Sequence, residues 1–232
     1  MKSTRRWFGI VLGMVLTVSS CLVVSAVAQS LRPSVTAVAT VLPDGRTQLA
    51  IHNDSAVSIT AYVVDSAEGK SAVTRFSDSK LSTSAAPIAA GGETTFIVAQ
   101  KGHSPVVTFR GALFSDGSTF GDEAWIQRLK NRRDYSVQAQ EYAISDLKAL
   151  ASSAPDPAGL AAALATQVQA RIAMLPKATS SVQSHDNFDH VLMFRTQYRL
   201  VGNMVKGKVC DSAPSMTVCA DLIASAIQSD RN

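Results

Sequence analysis

The chain has 232 residues, 17% charged, 46% hydrophobic and 6% aromatic, with a formal net charge of +4. This composition excludes a disordered chain, a collagen and a multi-span membrane protein. Lys2, Arg5 and Arg6 stand in the first 31 residues without an acid; taking these three from 22 basic residues leaves 19 against 18 acidic ones, which argues against a strongly basic nucleic-acid binder.

Residues 1–6 form a basic start, residues 7–18 (WFGIVLGMVLTV) an apolar stretch, and Ala26-Val27-Ala28 a small-x-small site before Gln29. This is the order of a secretory signal peptide (residues 1–28) with cleavage expected between Ala28 and Gln29. Two alternatives share the segment. Val18-Ser19-Ser20-Cys21 resembles a lipobox that would lipidate Cys21. The uncharged stretch 7–31 is also long enough to stay behind as an anchor. All three place the rest of the chain outside the cytoplasm, periplasmic or secreted. Membrane contact is expected only through this N-terminal segment.

Residues 34–42 (SVTAVATVL) alternate in the manner of a strand, and Pro43-Asp44-Gly45-Arg46 is a turn in which Pro presets φ and Gly accepts a positive one. Residues 47–52 are the next strand, and Asn53-Asp54-Ser55 the next turn. That triplet is also a glycosylation sequon by letter. Residues 57–65 (VSITAYVVD) carry the strongest strand signal, with Ile59, Ala61 and Val63 expected on one face and Tyr62 on the other. After a turn at Glu68-Gly69-Lys70, weaker strand segments stand at 73–76 and 80–83. Ala90-Gly91-Gly92 leads into a strand at 93–99. Residues 106–114 close the set before the Asp116-Gly117 turn. Six or seven short strands at this spacing predict an all-β sandwich over residues 33–117.

The period then changes. Asp122 and Glu123 suit a helix N-terminus. Residues 124–150 hold neither Pro nor Gly; Ile126, Leu129, Val137, Ile144 and Leu147 form a stripe interrupted by Arg133 and Gln140. Asp156-Pro157 is a cap with Pro at the first helical position. Leu160, Leu164, Val168, Ile172 and Leu175 then repeat as a helix that Pro176 ends. The two long helices are expected to pair. A third helix is expected at 188–198 and a fourth at 216–229. The fold class is thus α+β: an N-terminal antiparallel β-sandwich followed by about four helices in residues 122–230.

The strand order, with an Asn-x-Ser turn between two strands and Gly-Gly before a Thr-Phe strand, resembles immunoglobulin-like sandwiches of exported bacterial proteins over residues 33–117. No Cys or Trp lies in this window, so the Cys…Trp…Cys signature of antibody-type domains is absent and the topology is left open. The resemblance implies adhesion, assembly or spacing more than catalysis, although a fold alone implies none of these.

Local chemistry is sparse. His185, Asp189 and His190 sit in the polar cluster 184–190, and a metal centre wants such ligands on one face. The two histidines are five apart, about 140° around a helix, so the plain expectation is a helix start capped by Asp186 or Asn187 with Asp189 in its first turn. Residues 202–209 approach a phosphate loop but carry Val209 where the Mg²⁺-binding hydroxyl belongs, and a Gly-terminated helix with a basic turn is expected. The acidic run 116–123 lacks the spacing of an EF-hand and reads as a turn and a cap. Arg128, Lys130, Arg132 and Arg133 read as a solvated face. Cys210 and Cys219 are expected to form a disulfide, because either processing of the leader at Cys21 leaves an even pair in an oxidising compartment. The expected function is that of an exported, non-catalytic envelope or extracellular module that binds a protein or polymer partner, with no cofactor and no nucleic acid. The alternative is a metal-dependent hydrolase using His185, Asp189 and His190.

Overall fold

Alternating side chains and glycine turns write seven strands among the described residues of this computed structural model, which are 33–229 except 70, 83, 100–104 and 178–180. The leader, with Cys21 and the Ala28–Gln29 site, lies outside them. The strands are β1 (Val35–Val41), β2 (Thr47–Asn53), β3 (Ile59–Glu68), β4 (Ser71–Asp78), β5 (Glu93–Ala99), β6 (Val106–Phe114) and β7 (Thr119–Gly121). They make two antiparallel sheets, ordered β1-β2-β5 and β4-β3-β6-β7. The β1–β2 turn uses Gly45 at φ 83°, a conformation other residues avoid.

The sheets share one buried cluster, in which Leu49 and Ile51 of the first meet Ile59, Tyr62, Val64 and Phe114 of the second. The other face of the second sheet is buried as well. There Ala61, Val63 and Leu113 pack under Ile126 and Leu129 of a helix. The expected single face for Ile59, Ala61 and Val63 is therefore corrected. The β3–β6 register shifts between Ile59 and Ala61, and such a bulge moves a side chain across the sheet. Ile59 joins Tyr62, while Ala61 and Val63 point the opposite way.

Two further local differences follow from turn chemistry. The weak segment at 80–83 is not a strand: the N–H groups of Leu81 and Ser82 donate to the Asp78 carbonyl, at 3.2 and 3.1 Å, in a turn, while Thr83 lies outside the described residues. β7 follows the Asp116-Gly117 turn, a strand that sequence reasoning missed because it is only three residues long. At Gly121, φ is 110° and a Cβ would collide with the Arg110 carbonyl and Gly111 Cα, so only glycine fits this last β7 pair.

A buried amide locks the corner of the two sheets. Asn53 is fully buried. Its Nδ2 lies within 2.8–3.0 Å of the carbonyls of Val57, Ile88 and Ala89, and its Oδ1 accepts from Ser55 N–H and Oγ. The sequon is thus an internal clamp. Asn53→Ala strands these groups without partners and is expected to cost about 3 kcal/mol, measurable by urea denaturation; a loss under about 0.5 kcal/mol would show that the clamp contributes nothing.

The helices are α1 (Glu123–Ala151), α2 (Pro157–Ala173), α3 (Ser181–Val205), α4 (Lys208–Asp211) and α5 (Met216–Ser229). Asp122 caps α1, accepting from the N–H of Ala124 and Trp125, and Asp156 caps α2, accepting from Gly159 N–H. The third helix is longer than expected at both ends. Residues 185–187 lie inside it, so Asp186 and Asn187 are not its caps. Ala143, Leu147, Leu160, Leu164, Phe194 and Ile223 belong to one helical core cluster. α1 and α2 do pack together, but α1 packs most extensively on α3. Cys210 of α4 and Cys219 of α5 are buried and joined by a disulfide, with Cα atoms 4.9 Å apart. Among the described residues no helix is long and apolar enough to cross a membrane. Strands and helices belong to one compact unit.

Candidate functional site

The basic run on α1 is not a solvated face. Its spacing places Arg128 and Arg132 one turn apart, on one side of the helix. That side meets α3, where Asp186 and Asp189 stand three residues apart. Asp189 is 1% exposed, and its two oxygens accept from Arg128 Nε and Arg132 Nη1. Arg133 turns toward the sheet. It forms a two-point pair with Asp78 at the end of β4, at 2.8 and 3.0 Å, and also donates to Thr60 Oγ1. Only Lys130 of the run is exposed. The correction has a simple cause: the acids that neutralise these arginines are 55–61 residues away in sequence.

Aromatic rings cover the pairs. Arg128 lies 4.8 Å over the Phe76 ring and 5.1 Å from Trp125, and Arg132 lies 4.1 Å over Phe76. Flat guanidinium groups on ring faces gain cation–π attraction while shielded from water. Phe76 and Trp125 are 6.1 Å apart.

Asp186 accepts from Asn131 Nδ2 at 3.0 Å and from the Tyr135 hydroxyl at 2.5 Å. Burial first, and then the Asp186 carboxylate, hold the Tyr135 proton far above the ordinary phenol range. His190 stacks on Tyr135 with centroids 4.0 Å apart, meets Phe194 edge-on, and donates from Nε2 to Gln138 Oε1 at 2.8 Å. Burial pushes its pKa down from the ordinary value of 6.5, against the pull of Asp186. The ring is therefore kept neutral near pH 7.

Beside this seam lies an open groove of about 540 Å³, lined by Ala124, Trp125, Gln127, Arg128, Asn131, His185 and Asp186. His185 is exposed, and Phe188, one turn further along α3, is 62% exposed.

The candidate metal ligands are not brought together. Asp189 is held by two cations, His190 is packed between rings, and His185 faces the groove. Among the described residues no group of three His, Cys, Asp or Glu side chains is arranged to hold a metal. The acidic run is divided: Asp116 accepts from Ser118 N–H and Oγ in a turn, and Asp122 is a helix cap. Gly202 lies inside α3 and Gly207 caps α4, so residues 202–209 form no phosphate loop.

The signal that could have found the seam is the pairing of two faces: Arg128 and Arg132 at i, i+4 on one helix, Asp186 and Asp189 at i, i+3 on another. Neither face, taken alone, marks the other as its partner. Comparison with protein-family models, curated proteins and solved structures finds no match.

Proposed function

We propose that the chain is an exported, non-catalytic module that binds a protein partner through the α1–α3 groove. The observation that carries this reading is the mutual engagement of the groove's charged side chains. Asp186 accepts from Asn131 and Tyr135, and Asp189 from Arg128 and Arg132; among the described residues the groove lining holds no hydroxyl or thiol nucleophile. Ala124, Trp125 and His185 line the open groove, and Phe188 is exposed one turn further along α3; exposed rings beside a groove are the kind of surface that takes up a partner's side chain.

The strand half is proposed to be immunoglobulin-like. Supporting this, the chain crosses between the sheets from β2 to β3, from β4 to β5 and from β5 to β6. This is the crossing pattern of such sandwiches with the fourth strand on the second sheet. Export is supported by the leader pattern and by the Cys210–Cys219 disulfide, a bond that oxidising compartments keep.

The test is a photo-crosslinker placed at Phe188 in the exported protein, followed by mass spectrometry of the adducts. A discrete protein adduct, lost when His185→Glu is added to the chain that carries the crosslinker, is the expected result. Adducts to a polymer alone, or no adduct, would overturn the reading. An intact mass beginning at Gln29 is expected for the exported chain, and diacylglycerol at Cys21 would replace cleavage at Ala28 with lipidation.

A further inference from the structure

β1 is an edge strand of unusual sequence. Val35–Val41 reads VTAVATV, the same in both directions. It carries no charge, proline or glycine, the devices that normally keep an edge from pairing. On the first sheet β1 pairs with β2 alone, and among the described residues nothing pairs with its other side. Val38 is 51% exposed and Val41 62%.

The hydrogen-bond phase decides which residues face outward. The Asp54 N–H donates to Ser34 O at 3.1 Å, and the Leu42 N–H donates to Arg46 O at 2.8 Å. The register pairs Thr36 with His52, Val38 with Ala50 and Thr40 with Gln48. Even-numbered residues of this stretch therefore exchange bonds with β2. Those of the odd-numbered residues Val35, Ala37, Ala39 and Val41 point to the open edge.

We infer that β1 is a self-association edge, pairing antiparallel with β1 of a second copy of this chain about a two-fold axis at Val38. In that register Val35 lies opposite Val41, Ala37 opposite Ala39, and the reverse pairs follow by symmetry. Each is a pair of outward-facing residues able to exchange two backbone bonds. Val38 meets its own copy at the axis, where side chains approach most closely, and Thr36 meets Thr40. A palindromic strand makes every cross-strand pair like with like in size, which is what a closed two-fold interface requires. A slip of one residue would set odd residues against even ones and lose the bonds. The product is one continuous sheet, β5-β2-β1 joined to its symmetry mate.

Sedimentation of the exported full chain over a wide concentration range tests this. A reversible dimer is expected. Val38→Lys and Val38→Glu each place like charges face to face at the axis, on a side chain already half exposed. Each should raise the dimer Kd at least tenfold with an unchanged circular dichroism spectrum. A one-to-one mixture of the two should return it to within about threefold of the parent. Ala39→Pro removes only an edge-facing N–H and should also give a monomer. A chain that is monomeric throughout, including one whose N-terminal segment covers the edge, overturns the inference. So does a dimer indifferent to Val38→Lys and Ala39→Pro.

Discussion

Asp189→Ala is expected to lower the free energy of unfolding by about 3–5 kcal/mol, the range for removing one partner of a buried ion pair. The carboxylate is almost wholly buried and neutralises two guanidinium groups that are themselves 16% and 12% exposed. Without it, Arg128 and Arg132 face each other across one helical turn beneath Phe76 and Trp125. Guanidonium groups cannot escape by losing a proton, so the chain must hydrate them by opening the α1–α3 seam. Equilibrium denaturation in urea measures the loss. Replacing all three residues with apolar ones, Asp189→Leu with Arg128→Met and Arg132→Met, should recover most of it, because the penalty belongs to the unpaired charge and not to the missing volume. A single Asp189→Ala variant within about 1 kcal/mol of the parent would show that water already reaches this site.

Asp146→Ala should cost a similar amount, about 3–5 kcal/mol, because this buried carboxylate joins three helices. From α1 it accepts from Arg171 of α2, at 3.1 and 2.6 Å, and from the Tyr198 hydroxyl of α3. Burial alone would raise its pKa. The hydrogen bonds from Arg171 and Tyr198 outweigh that, so the carboxyl sits below its ordinary value of 3.8. The folded chain thus binds fewer protons here than the unfolded one, and this contribution, present above about pH 4, is lost as pH falls through the folded pKa. Tyr198 works in the other direction. Burial and the Asp146 carboxylate raise its pKa above the ordinary 10.0. Its contribution is therefore complete below pH 10 and is lost as pH rises through the folded value. Asp146→Asn should flatten the acid limb of the stability profile in denaturant titrations; an acid limb identical to the parent's would assign the acid loss to other carboxylates.

Local patterns carried the elements well. β5, β6 and α5 run over the residues that alternation or helical period marks, because each is bounded by a glycine turn or begins at a clear change of period. The faces were harder. A strand with both sides apolar, as in β3, looks the same whichever neighbour each side meets, and the bulge that moves Ile59 leaves no mark in the letters. The sequence predicts a start of α3 at Phe188 because the polar residues before it suit a cap equally well. What holds them in the helix is a partner face on α1, where Asn131 and Tyr135 donate to Asp186. The site was hidden for the same reason. Arginines at helical spacing look solvated until the acids that hold them are placed alongside, and those acids enter through tertiary packing.

α1 serves two cores: Ile126 and Leu129 close the outer face of the second sheet, whereas Ala143 and Leu147 enter the helical cluster. The strand half is consequently not a freely transferable cassette. A graft ending at Gly121 would carry Ala61, Val63 and Leu113 into water, and would leave the buried Asp78 without Arg133. The shortest piece that could be moved into another scaffold with its surfaces intact runs past Arg133, taking the first turns of α1 as a built-in lid on the sheet.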